Sequence, residues 1–183
     1  MSILRVAALA AAIGLNLSAN PSVTVCLQGL SVVPGPVLNQ AQILAKDMLA
    51  RASVDICWRR GAPPGGHQSV RVIVVDLADE TPRRVNPGAL AVSLPYEGTH
   101  ITVFYDRVRQ TPAAPSLIPT LLAHVFVHEI THLLEGSDQH AASGIMKARW
   151  TPRDYSDMAE KPLLFSETDL LLIRSGMAST PGP

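Results

Sequence analysis

Hydrophobic and polar positions alternate along the chain in short blocks of two different periods. Residues 22–27 (SVTVCL) are β-branched and apolar, and the stretch 37–51 sets Val37, Ala41, Leu44 and Met48 at helical spacing, so a strand and then an amphipathic helix are expected. Residues 54–59 alternate with Val54, Ile56 and Trp58 on one face, and 70–76 (VRVIVVD) read as a nearly continuous buried strand. The run GAPPGG at 61–66 can only be a loop, and Pro82, Pro87 and Gly88 mark another. Two further strands, 89–94 and 100–106, flank a hairpin-like connection at 95–99 that contains Gly98. After the Pro-rich stretch 112–119, residues 120–135 are apolar and rich in helix formers, with Ser116 or Thr120 available as a cap. Ser166-Glu167-Thr168-Asp169 ahead of Leu170, Leu171, Leu172 and Ile173 reads as a capped terminal helix. Five strands, a helix after the first and two helices at the end make an α+β chain.

Composition narrows the class. With 47% hydrophobic and 16% charged residues among 183, the chain can bury a sizeable core as one domain. Lys and Arg total 15 against 15 acidic residues, and aromatics are 4%, so neither a basic patch nor a stacking platform argues for nucleic acid. The N-terminus carries Arg5, a run at 6–17 that is apolar except for Asn16, and then Ser18 and Ala19. This pattern predicts a signal peptide at 1–19 and a secreted or periplasmic protein. About a dozen apolar residues are too few to span a bilayer, and no later segment is expected to compete, so no stable membrane span is expected after cleavage. Only Asn20 and Pro21 then precede the first strand, which leaves no room for an inhibitory pro-segment. Export permits a Cys26–Cys57 disulfide; two buried thiols are the alternative. Nothing in the sequence fixes the oligomeric state.

The long C-terminal-half helix contains His128-Glu129-Ile130-Thr131-His132. Histidines at i and i+4 share a helix face and can reach one Zn²⁺, and the intervening glutamate stands beside the water it would deprotonate. A glutamate among Val125, Phe126, Val127, Ile130, Leu133 and Leu134 also needs a cation or hydrogen bonds to offset its burial. Gly136 can turn the chain back beneath the metal. A third ligand is then expected soon after, and two candidates follow: Asp138, six residues after His132, and His140, eight after it. His124, one turn before the pair, is expected to be a supporting or packed histidine.

His-Glu-x-x-His, a glycine turn, a later ligand and the turn Ser143-Gly144-Ile145-Met146 together resemble the metzincin clan of zinc peptidases. The stretch HEITHLLEGSDQHAASGIMKARW is similar to uncharacterised exported bacterial peptidases. The resemblance implies a metzincin-like fold: a five-stranded mixed sheet with a backing helix and an active-site helix in an upper subdomain, 20–136, and a short lower subdomain, 137–183, closed by the terminal helix. It implies an endopeptidase acting on peptide or protein substrates, with zinc as cofactor, Glu129 as general base, and Met146 as a floor under the metal ligands. The strand 89–94 would offer its edge to substrate, and Tyr155 would stabilise an oxyanion, as a tyrosine after the methionine turn does in some members. The chain departs from the clan where Glu135 stands in place of the usual glycine and Gly136 follows one residue later; with the histidine that the resembling bacterial sequences carry just before the Gly-Ile-Met turn, the resemblance implies His140 over Asp138 as the third ligand. Two other readings remain open: a gluzincin-like peptidase taking Glu160 or Glu167 as third ligand, and a zinc-stabilised binding module without turnover.

Overall fold

The computed structural model describes residues 22–63, 65, 70–95, 99–111 and 114–179. The expected signal peptide and residues 96–98 of the expected hairpin lie outside them. Strands β1 (Ser22–Gln28), β2 (Asp55–Arg60), β3 (Arg71–Ala78), β4 (Ala91–Ser93) and β5 (His100–Phe104) form one sheet in the order β2-β1-β3-β5-β4. All neighbours are parallel except β4 and β5, so β4 is an antiparallel edge strand. This is the expected five-stranded mixed sheet.

Period-two alternation decides which face is covered. Val23, Val25 and Leu27 of β1 join Ile56, Ile73, Val75, Leu77, Ile101 and Val103 in one core. Helices α1 (Gly35–Ala50) and α3 (Ile118–Glu135) supply the rest of that core, α1 through Leu38, Ala41, Ala45, Met48 and Leu49. Trp58 meets Phe126 with ring centroids 5.5 Å apart, and its indole N–H donates to the Gln42 carbonyl at 3.1 Å. The stretch Pro115–Glu135 is long and apolar enough to cross a membrane, with mean hydropathy 1.4. The expectation that no such later segment exists is therefore corrected. Its apolarity serves the core, since nearly all of it is buried inside the fold.

Four further expectations change. The fifth strand stops at Phe104, and Tyr105–Gln110 forms the short helix α2. There the Asp106 carboxylate accepts from the Thr81 hydroxyl at 2.8 Å and the Thr81 N–H at 3.3 Å. Neither Ser116 nor Thr120 caps α3. A 3-10 turn, Pro115–Leu117, leads straight into Ile118, and Pro119 removes one of the N–H groups a cap would have to satisfy. The polar stretch around Tyr155 is helix α4 (Pro152–Glu160), started by a capping box between Thr151 and Asp154. Finally, Cys26 and Cys57 are both free, and only Cys26 is buried. In the β1–β2 register Cys57 pairs with Thr24 and Cys26 with Arg59, an offset of two residues that puts the two Cα atoms roughly 8 Å apart, beyond disulfide reach.

The terminal helix α5 (Glu167–Ala178) has the expected cap, Ser166 with Asp169. It lies so close to α3 that a Cβ on Gly176 would sit 1.7 Å from the Leu134 carbonyl oxygen. From β3, the Arg71 guanidinium donates to the Leu133 carbonyl at 3.3 Å and the Gly176 carbonyl at 3.0 Å, tying sheet, α3 and α5 together. Gly176→Ala is expected to destabilise the fold by about 1–3 kcal/mol or more. Gly35→Ala, where apart from its chain neighbours nothing lies within 4 Å of an added Cβ, is expected to cost clearly less, its penalty limited to the strain of a helical alanine ahead of Pro36. Thermal unfolding of the two variants side by side checks this contrast.

Candidate metal centre

Helix α3 carries His124, His128 and His132 at four-residue intervals, hence along one stripe. All three are buried, and each gives one ring nitrogen to a backbone carbonyl. His124 Nδ1 lies 2.7 Å from Thr120 O, His128 Nδ1 2.9 Å from Ile145 O, and His132 Nδ1 2.8 Å from Ser137 O. A carbonyl can only accept, so these contacts put the proton on Nδ1 and leave Nε2 with its lone pair. Burial pushes the imidazoles of His124 and His128 down to about 4 and lowers His132 as well, which keeps them neutral near pH 7.

The carbonyls that receive His128 and His132 come from two chain reversals. Gly136 ends α3 in the left-handed conformation, at φ 62°, and swings Ser137 back under His132. Further on, Ala141 N–H donates to Met146 O at 2.7 Å, and Ile145 N–H donates to Leu164 O at 3.0 Å. Gly144, at φ 78°, passes so near that a Cβ would stand 2.2 Å from Leu164 O. That turn aims the Ile145 carbonyl at His128 and buries Met146.

His128 and His132 thus point their Nε2 atoms at each other 3.1 Å apart. His140, exposed on the loop between the two reversals, closes the group: its ring lies 5.3 Å from that of His128 and 4.8 Å from that of His132. One ligand atom from each of the three lies within 4.8 Å of the others. Nitrogens bound at 2.0–2.1 Å to one tetrahedral ion would stand roughly 3.4 Å apart. Facing lone pairs repel unless a cation lies between them, so this donor set fits a zinc ion. Asp138 is exposed and lines the same cleft but is not one of the convergent three. Glu160 and Glu167 are both exposed on other helices and are likewise outside the group.

Glu129 is buried beside the histidines. Burial pushes its carboxyl up, opposed by a hydrogen bond from Ser93 at the end of β4 and by the charges of His132 and His140. An open cleft of about 820 Å³ runs over these groups. One wall is the 86–95 segment with β4, and the other runs from Lys147 to Tyr155. Tyr155 lines this wall, and burial raises its phenol. The edge of Trp150 meets the His128 ring at 5.6 Å and the His124 ring at 6.0 Å. His124 Nε2 is occupied too, accepting from Leu163 N–H at 3.1 Å, so this histidine joins α3 to the C-terminal segment.

The sequence did not single out Ser93, Lys147, Arg149 or Trp150. A polar residue at the end of an edge-strand pattern is a faint signal for Ser93. Nothing in their spacing marks the other three.

The fold is metzincin-like. It matches the crystal structure of archaemetzincin from Methanopyrus kandleri with a TM-score of 0.59, over 90% of this chain and 99% of that one, at 13% sequence identity. No protein-family profile and no curated protein matches the chain by sequence.

One carboxyl behind the site lacks a partner. Glu135, at the end of α3, has a buried Oε1 with no hydrogen bond, and burial together with the nearby Asp169 pushes its carboxyl up from 4.5 to about 7. Between those values this carboxyl holds a proton in the folded chain that the unfolded chain releases, so its own contribution to stability falls as pH rises through the window. Because the buried histidines act in the opposite sense over the same range, the test is a difference: in denaturant melts with a chelator present, the stability of the wild type relative to Glu135→Gln is expected to fall as pH rises from about 4.5 to about 7.

Proposed function

We propose that this protein is an exported zinc-dependent endopeptidase. The observation that carries the reading is the pair of Nε2 lone pairs held 3.1 Å apart by carbonyls behind them, with His140 completing the group and Glu129 adjacent. The metzincin resemblance of the motif and the likeness of fold to archaemetzincin support it. Export rests on the run at 6–17 after Arg5.

In this reading His128, His132 and His140 hold the ion. Bound zinc would supply Lewis acidity for the scissile carbonyl and bring the pKa of water toward ~7. Glu129 accepts the proton of the attacking water and returns it to the leaving amine, and no covalent intermediate is needed. Ser93 orients its carboxyl. The free edge of β4 offers main-chain groups to an extended peptide. Tyr155, on the opposite wall, is suited to meet the developing oxyanion.

Two outcomes test this. The purified protein should hold about one zinc per chain; His128→Ala, His132→Ala and His140→Ala should each weaken binding far more than Asp138→Ala, as read by metal analysis after dialysis. Loss of zinc in Asp138→Ala with retention in His140→Ala would move the third ligand. Glu129→Gln should keep zinc and fold while peptide hydrolysis drops about 10²–10⁴-fold. A zinc-loaded wild type that cleaves nothing in a diverse peptide library would instead favour a binding module.

A further inference from the structure

Besides the histidines, three cationic side chains among the described residues line the cleft: Arg107, Lys147 and Arg149. Two are engaged. Arg107 donates to the carbonyls of Val85, Asn86 and Ala89, which fixes the upper rim. Lys147 pairs with Asp154 at 2.6 Å. Arg149 is exposed and belongs to none of the three ion pairs among the described residues.

The position of Arg149 is specific. Its guanidinium reaches the opposite rim and lies over Gly88, where a Cβ would stand 2.9 Å from Nη2. The absence of a side chain at 88 makes that approach possible. The next residue, Trp150, touches the His128 ring, so this cation stands one residue from a direct contact with the metal ligands. Among the described residues, the acidic ones lining the cleft, Glu129 and Asp138, belong to its histidine end.

We propose that Arg149 is a specificity-determining residue that selects peptides carrying a carboxylate side chain close to the bond presented to Glu129. A guanidinium without an ionic partner can grip a carboxylate through two parallel N–H bonds, and a neutral amide isostere cannot match that pairing. The inference rests on the peptidase reading and deepens it.

The test uses the purified zinc-loaded protein and quenched peptides identical except for Glu, Gln or Lys at each position flanking the cleaved bond. At one position kcat/KM for Glu should exceed that for Gln by on the order of tenfold, and the ratio should shrink as salt rises. The ratio should fall to about one in Arg149→Gln, recover in part in Arg149→Lys and turn toward Lys peptides in Arg149→Glu. A wild type without the Glu preference, or an Arg149→Gln variant that keeps it, overturns the inference. A second arm does not depend on turnover: anisotropy of labelled Glu and Gln peptides on zinc-loaded Glu129→Gln, with and without Arg149→Gln. If the wild type cleaves no peptide but the Glu peptide binds more tightly through Arg149, the peptidase reading fails and the role of Arg149 stands. Equal binding of both peptides, with Arg149 present or replaced, overturns it.

Discussion

Two imidazoles on successive turns of one helix cannot choose their own tautomers; something behind each ring must hold a proton on the far nitrogen. Here the carbonyls of Ser137 and Ile145 do so, and the rest of the C-terminal third is arranged to deliver them. Each carbonyl requires a left-handed glycine, Gly136 or Gly144, and the second also requires Leu164 to come within contact of the turn. Helix α3 is apolar on nearly every side because the sheet and α1 cover one flank and the C-terminal segment the other. Desolvation follows, and it keeps the rings neutral and therefore able to bind a metal.

The same burial explains the division of labour along the histidine stripe. His124 has the environment of a ligand, being buried and neutral, yet both its nitrogens are spent on Thr120 and Leu163. One turn away, His128 spends only Nδ1 on a carbonyl and turns Nε2 toward that of His132 in the cleft. Neighbouring hydrogen-bond partners, more than residue type, separate the structural histidine from the two that converge.

Much of this could be read from the sequence, and the failures have causes. The sheet strands were legible because 22–27 are β-branched and apolar and 54–59 alternate, and α3 because its apolar run is too long for a strand. The HEITH spacing places two nitrogens together on helix geometry alone, and His140 was reachable through the late glycine. What escaped depends on contacts distant in sequence or on signals that composition hides. Helix α2 begins where β-like residues run on, and Thr81, 25 residues away, meets its first turn. Helix α4 was concealed by polarity even though Thr151-Pro152-Arg153-Asp154 spells a capping box. Trp150 and Arg149 gain meaning only once the chain has folded back over α3.

The Arg71 clamp has a mechanical corollary. One guanidinium on β3 binds the end of α3 and the end of α5, and Gly176 lets those helices touch backbone to backbone. No side-chain layer lies between them to act as a lubricant. Helix α3, the sheet behind it and the terminal helix therefore form a single jaw. The 86–95 rim joins that jaw through β4 and is stiffened further by Arg107, which holds three carbonyls in one fist.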